Sequence, residues 1–269
     1  MTIFQTSGLP NTATCTSLKN IQVKKSKYKV SQATELLETA FLHPLIKGVD
    51  INPFHVSYSG LIVPFPYTEK DTRLPIGFDE LSKKAPKLAS FYQRFKKLIL
   101  SQTNYNERII GRVGEFYALA RVGSYSFAKT YVVFRDNTKW GAAVVSDIKT
   151  EWGGLKHPLF QNHCVSICED SEGNYITEDE AHFICGILNA PATVDFIVSS
   201  SDARSFPVRP RIYIPKYDVR NRLHAKIVRL SRDAHLLYND SEKLRGITRE
   251  LNDAYLRIVS NGARKQNRK

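Results

Sequence analysis

The spacing of apolar residues changes along the chain, and each spacing predicts a different kind of element. From Ala85 onward, apolar residues recur every three or four positions, which predicts a helix with Pro86 in its first turn. Between Phe116 and Val145 the period becomes two and turn dipeptides such as Asp136-Asn137 divide the run, so short strands are expected. The other elements expected before residue 170 are a short helix at 35–46 and strands at 58–67 and 163–169.

The second half of the chain returns to helical spacing. Thr177 and Glu180 have the Thr-x-x-Glu spacing of a capping box, which predicts the start of a helix. Two longer apolar stripes follow at 223–237 and 244–258, with turn and cap residues at 239–241 between them. They predict an antiparallel helical hairpin. A strand cluster followed by helices, without regular strand–helix alternation, predicts an α+β fold with a mixed or antiparallel sheet.

Net charge narrows the choice of partner. The 269 residues carry 39 lysines and arginines against 26 acids, a formal charge of +13. Such an excess favours a polyanion, because binding releases counterions from phosphates, but it does not separate DNA from RNA or an anionic membrane. The sequence has no apolar run near 18 residues and no secretory signal at its start, so we expect a cytoplasmic protein.

Basic residues concentrate between positions 204 and 232, where nine of them accompany one acid, Asp218. The first part of this stretch reads as extended, and arginine in an extended segment can reach guanine edges or phosphates. A second basic group is interleaved with aromatic residues in the strand cluster, a pattern that suits a nucleic-acid face. For each residue the alternative is a core aromatic or a solvated charge. The expected DNA-binding residues are Arg121, Tyr125, Lys129, Arg135, Lys139, Trp140, Arg204, Arg209, Arg211 and Lys216.

Motifs of catalytic and metal sites are missing from the sequence. It has no glycine-rich phosphate loop, no GxSxG elbow, and no CxxC pair among its four cysteines. Asn52-Pro53-Phe54 has only part of the Asn-Pro-Pro-Tyr loop that holds adenine in amino-methyltransferases, so we interpret it as a turn. Asp147, Lys149 and Glu151 combine acids with a lysine, as nucleases do, but in another order. We expect no catalytic residue and no metal site, with a nuclease as the alternative.

Several segments, taken in order, carry a family resemblance. They are LHPLIKGVDI (42–51), FYALARVG followed by YSFA and VVFR (116–135), HFICGILNAPATVDFI (182–197) and IYIPKYD (212–218). Together they resemble the C-terminal, TaqI-like specificity domain of type II adenine-specific DNA methyltransferases and of fused restriction-modification enzymes. The resemblance covers nearly the whole chain.

The resemblance implies a division of labour between two parts of an enzyme. In the complete enzymes an N-terminal domain binds S-adenosylmethionine and methylates a flipped adenine, and the C-terminal domain reads double-stranded DNA. This chain resembles the second part, so S-adenosylmethionine is expected on a partner methyltransferase and no cofactor is expected here. The expected organisation is a basic arm or first strand region at 1–34, a target-recognition domain at 35–218, a helical hairpin at 219–260 and a disordered basic tail at 261–269.

The sequence therefore predicts a DNA-recognition module that directs a partner adenine-specific methyltransferase or nuclease. Two alternatives stay open. The chain could be a fragment or subunit of a site-specific methyltransferase or type II restriction endonuclease whose catalysis lies in another chain. It could also be a basic structural protein that binds RNA.

Overall fold

Helices and antiparallel strands both occur in the chain, which confirms the predicted α+β class. The computed structural model describes residues 3–8, 12–21, 31–101, 115–137, 139–161, 163–202 and 205–266. The helices are α1 (Phe78–Lys84), α2 (Pro86–Ser101), α3 (Glu178–Leu188), α4 (Pro191–Ser199), α5 (Arg222–Leu236) and α6 (Ser241–Gln266). The strands are β1 (Phe4–Thr6), β2 (Cys15–Asn20), β3 (Thr34–Glu38), β4 (Leu42–Ile46), β5 (Ile51–Asn52), β6 (His55–Val56), β7 (Ile62–Pro64), β8 (Thr130–Arg135), β9 (Ala142–Ser146), β10 (Ile148–Lys149), β11 (Leu155–Lys156), β12 (Leu159–Phe160) and β13 (Cys164–Ile167).

The chain divides into two compact units, and each unit combines three separate stretches of sequence. The predicted recognition domain at 35–218 contributes to both units. The predicted border after residue 34 falls inside the first unit, and the border after residue 218 falls inside the second. The first unit comprises residues 1–45, 60–128 and 147–159, and the second comprises residues 46–59, 129–146 and 160–269.

A six-stranded sheet, in the order β12-β4-β7-β1-β2-β3, forms the base of the first unit. Buried Leu18 and Leu37 on this sheet share one core with Leu88 and Phe91 of α2. Helix α2 begins at Pro86 as predicted, because a first-turn residue needs no backbone N–H for the helix ladder. Helix α1 was not predicted, since its seven residues are too few to show a clear apolar stripe.

The helix predicted at 35–46 is wrong, because these residues form β3, a 3₁₀ turn at Thr39–Phe41 and β4. Leu37, Phe41 and Leu45 have helical spacing, but the sequence also contains Pro44. Proline has no N–H to donate and clashes with the preceding turn, so it breaks a helix interior. In the sheet, Pro44 lies opposite Ile62 of β7.

The strand predicted over FYALARVG is also absent, and residues 116–123 form turns and irregular backbone. Phe116 and Tyr117 are buried in the core of the first unit, so their apolar character reflects packing and not a sheet position. Tyr117 donates a short hydrogen bond from its hydroxyl to the carbonyl of Ile76. The strand predicted at 58–67 is confirmed in shorter form as β7.

The second unit places a three-stranded sheet, in the order β13-β8-β9, against α3, α4, α5 and α6. Its core joins Phe134 of β8 to Phe183 of α3, Ile227 of α5 and Leu251 of α6. The predicted capping box is present, with Thr177 accepting from the Glu180 N–H and Glu180 accepting from the Thr177 N–H. The two C-terminal helices are confirmed, but α6 continues to Gln266, past the expected end at residue 260.

No single helix among the described residues is both long enough and apolar enough to cross a membrane. Helices α3 and α4 satisfy this test only as a pair, and the pair is bent by 59° at the break between them. Both helices contribute buried residues, such as Phe183 and Ile197, to the core of the second unit.

Candidate nucleic-acid interface

Two of the predicted basic residues lie at the turn between β8 and β9. The strands pair antiparallel up to Phe134 and Ala142, and Arg135 is the last residue of β8. Arg135 is half-buried, and its Nε donates to Asn137 Oδ1 at 2.8 Å. Lys139 is exposed on the same turn. This turn carries cations at one end of the sheet, while side chains of β8 such as Phe134 pack into the core of the second unit.

The structure brings the start of the extended segment that carries Arg209 and Arg211 to this turn. The backbone N–H of Phe206 donates to the carbonyl of Asp136 at 2.6 Å. The Phe206 ring packs edge-on against Trp140, with a centroid distance of 5.6 Å and an interplanar angle of 87°. Arg209 follows Phe206 by three residues, so their Cα atoms lie no more than about 11 Å apart. Arg135 and Lys139 lie at this turn, and Arg209 and Arg211 lie within five residues of Phe206; these four residues are called the turn surface below.

Trp140 belongs to the core and not to this surface. Its side chain is 5% exposed, and its indole N–H donates to the carbonyl of Leu188 at 2.8 Å. A buried indole with a satisfied donor has neither the face nor the N–H free for a base. The expectation that Trp140 contacts DNA is therefore corrected. Its ring instead packs against the ring of Phe206.

The other predicted residues lie in both units. Lys129 and Lys216 are exposed in the second unit, and Arg121 and Tyr125 are exposed in the first. Arg121 has a left-handed backbone with φ of 56°, which is uncommon for a residue other than glycine. Arg204 lies outside the described residues.

Ion pairs distinguish the cations that hold helices together from the cations that remain available to bind a partner. Arg232 lies 2.8 Å from Asp179 and 3.2 Å from Glu178, and Lys226 lies 2.9 Å from Glu250. These two cations join α5 to neighbouring helices and are already neutralised. By contrast, Lys139, Arg209 and Arg211 are exposed, and no acidic group in the described part of the chain pairs with them.

Sequence reasoning missed His163, which stands beside the turn surface. Its Nδ1 lies 2.9 Å from Asp136 Oδ1, and its side chain is 61% exposed. Its backbone is left-handed, with φ of 69°. Cys164, the next residue, lies opposite Arg135 in the sheet. A histidine between a turn and a strand carries no functional signal in sequence, because its partner is 27 positions away.

Asn52-Pro53-Phe54 is the turn that the sequence predicted. Pro53 and Phe54 connect β5 to β6, and the Phe54 N–H donates to the carbonyl of Ala142 at 2.8 Å. Phe54 is 1% exposed, so its ring is not available to stack on a flipped base. The segment supports β9 and has no adenine-binding geometry.

One group in the second unit has the composition of a catalytic triad. Ser231 Oγ lies 3.2 Å from His182 Nδ1, and Glu178 Oε1 lies 3.9 Å from His182 Nε2. Burial, and then the nearby His235 and Arg232, lower the pKa of His182 to about 3. Ser231 is completely buried, so no substrate can reach its hydroxyl. The group satisfies buried polar atoms and does not form an active site.

The described residues contain no candidate metal cluster, and two of the four cysteines, Cys168 and Cys185, are buried. No cluster of three or more His, Cys, Asp or Glu side chains is placed to hold a metal there. Burial raises the pKa of Cys185 to about 12, and burial with nearby Glu169 does the same for Cys168. Such thiols stay protonated and unreactive. Asp147 and Lys149 are exposed at the β10–β11 hairpin of the first unit.

Comparison with models of known protein families found no match, and comparison with curated proteins found none either. The resemblance to methyltransferase specificity domains therefore rests on the quoted segments alone.

Proposed function

We propose that this chain recognises specific sequences in double-stranded DNA, acting in the cytoplasm as the target-recognition module of a restriction-modification system. In this proposal a partner chain supplies the chemistry, as an adenine-specific methyltransferase with its S-adenosylmethionine or as a nuclease. The proposal combines the segment resemblance, the net charge of +13 and the exposed cations of the second unit.

One observation supports this proposal most directly. The hydrogen bond from Phe206 to Asp136 joins the turn between β8 and β9 to the extended segment that carries Arg209 and Arg211. Arginines on such a segment have the length and the paired donors to reach guanine O6 and N7 in the major groove. The sheet turn adds cations for phosphates, which hold the protein in register.

The burial of Trp140 refines the proposal. Trp140 is not available to stack on a flipped base, so readout at this turn is assigned to the exposed polar groups of the turn surface. The module in this form reads a stacked duplex from its groove, and base flipping is left to the catalytic partner.

Fluorescence anisotropy with a labelled duplex at several salt concentrations tests this proposal. We expect binding that weakens as salt rises, because phosphate contacts release counterions. The double substitution Arg209→Ala with Arg211→Ala is expected to raise Kd by about tenfold or more, a loss of roughly 1.4 kcal/mol or more.

Arg249→Ala provides a matched control. Arg249 is also exposed, and it lies on α6 about 20 Å along the helix axis from Gly262, the residue that approaches Tyr213 of the extended segment. Its removal is expected to change Kd by less than about twofold. Equal losses in the control and the double variant would contradict a role for the extended segment. Tighter binding to an RNA duplex of the same sequence would favour the RNA-binding alternative.

A further inference from the structure

His163 is an exposed imidazole whose orientation is set from two sides. Its Nδ1 lies 2.9 Å from Asp136 Oδ1, and the Asp136 side chain is only 21% exposed. Its backbone carbonyl passes so close to Gly48 that a Cβ there would lie 2.4 Å from the oxygen. The ring is therefore held in place by the carboxylate of Asp136. The backbone of His163 is held by its close packing against Gly48.

The backbone of His163 is also in an uncommon conformation. A φ of 69° is left-handed, a region that residues other than glycine rarely adopt, although histidine, asparagine and aspartate occur there more often than most. Such a conformation persists where the surrounding structure imposes it, and it is often found at binding sites. Here the residue lies at the start of β13, next to Cys164, which pairs with Arg135.

The bond to Asp136 decides what the free nitrogen can do. A carboxylate only accepts hydrogen bonds, so Nδ1 must carry the proton that joins them. In the neutral ring this leaves a lone pair on Nε2, and no residue in the described part of the chain donates to it. The turn surface therefore gains one outward hydrogen-bond acceptor among groups that otherwise only donate.

We propose that His163 reads a base through Nε2, accepting a hydrogen bond from the exocyclic amino group of adenine or cytosine in the major groove. Arginine and lysine donate, so they select guanine or phosphate and cannot recognise an amino group. Asp136 is a positioning residue in this inference, since it fixes the tautomer without touching DNA. The inference rests on the proposed DNA recognition and adds to it the class of base that this side chain selects.

The first experiment selects duplexes from a library with randomised central base pairs, using the native chain and His163→Asn. Asparagine tolerates the left-handed backbone, so this variant removes the imidazole without adding strain. His163→Gly is a second variant with the same backbone freedom. We expect the native chain to prefer adenine or cytosine at one position where His163→Gly shows no preference, while the other positions keep theirs. His163→Asn, whose shorter amide can itself bind adenine, should alter the preference at that position only.

The second experiment measures Kd on the selected duplex. His163→Gly is expected to weaken binding by about three- to tenfold, the usual effect of one hydrogen bond. Replacing the base at that position by an analogue without the amino group should weaken the native chain similarly and the variant hardly at all. Asp136→Asn, whose amide can also donate to Nδ1, should relax the preference at the same position and no other.

The outcomes separate the inference from the proposed function. If the native chain enriches no sequence, DNA recognition itself fails, and the inference with it. If the native chain and both variants enrich the same sequence, DNA recognition stands and the role of His163 is refuted. A variant that loses affinity equally for all sequences would show a phosphate contact and would also refute base reading.

Discussion

Gly48 is a residue whose side chain could not be larger, because the backbone of His163 lies directly against it. It belongs to the LHPLIKGVDI segment, in which Asp50 is buried and accepts hydrogen bonds from the Lys47 N–H at 2.8 Å and the Ser59 hydroxyl at 3.3 Å. The Lys-Gly-x-Asp pattern of this segment therefore has a structural cause, namely a tight turn packed beneath the start of β13.

Gly48→Ala is expected to destabilise the protein by about 1–3 kcal/mol, the usual cost of adding an atom to a filled space. The added Cβ would lie 2.4 Å from a backbone oxygen, which cannot move aside like the end of a flexible side chain. Urea unfolding followed by circular dichroism measures the change in the free energy of unfolding.

Gly246→Ala is the matched control for this measurement. Gly246 is a helical residue of α6, and a Cβ there meets nothing within 4 Å. Alanine is expected to stabilise the exposed helix by up to about 1 kcal/mol. Destabilisation of both variants to the same extent would mean that the close approach of His163 to Gly48 is not what limits residue size.

At the scale of elements, the sequence alone correctly predicted where α3 begins. Thr177 and Glu180 form reciprocal hydrogen bonds of 3.3 Å and 2.8 Å, and the helix they open carries Phe183 and Ile187 into the core. A cap is a local device, because its partners are three residues apart and need no tertiary context.

Thr177→Ala is expected to lower the free energy of unfolding by about 1 kcal/mol, because the Glu180 N–H loses its partner. Thr177→Ser keeps the hydroxyl and should retain nearly all of the stability. Thermal or urea unfolding of both variants gives the comparison. If serine were as destabilising as alanine, the hydroxyl would not be the source of the effect.

At the scale of the whole molecule, buried histidines in both units predict sensitivity to acid. Burial, and then the neighbouring His157 and Lys156, lower the pKa of His43 to about 3 in the first unit. Burial also dominates at His182 in the second unit, where the pKa falls to about 3 as well. Both histidines are thus neutral when the protein is folded at neutral pH.

The direction of the pH effect follows from these lowered pKa values. In the unfolded chain a histidine binds its proton near pH 6.5, whereas the folded chain resists protonation until about pH 3. The unfolded state thus binds more protons between these values, so stability is present above pH 6.5 and falls as pH decreases toward 3. Each histidine contributes a slope of roughly 1 kcal/mol per pH unit within that window.

Urea unfolding at several values between pH 7 and pH 4.5 measures this slope. Asparagine has no group that binds a proton in this range, so His43→Asn is expected to make the pH dependence shallower whatever it does to stability at pH 7. Combining it with a substitution of His182 should reduce the slope further, because the two residues lie in different units. An unchanged slope in the double variant would assign the acid sensitivity to other groups.

The sequence by itself determined the α+β class, helix α2, the capping box of α3 and the C-terminal helical hairpin. These features depend on spacing and on contacts between near neighbours, which one chain displays directly. It also identified Lys139, Arg209 and Arg211 as cations that could bind DNA, because their charge is given by the sequence alone; their exposure is a property of the fold. Helix 35–46 was predicted wrongly because strand pairing with distant β2 and β7 competed with a local helical pattern.

Only the tertiary structure decided which of these residues meet. It buried Trp140 against Leu188, and it joined Phe206 to Asp136. It also placed the His163 side chain against Asp136, with a left-handed backbone at His163. Each of these contacts links residues far apart in sequence, and a side chain's exposure depends on what the rest of the chain packs over it. The cations of the candidate site can therefore be identified from the sequence, whereas the contacts around them, such as those of Asp136 with Phe206 and His163, form only in the folded chain.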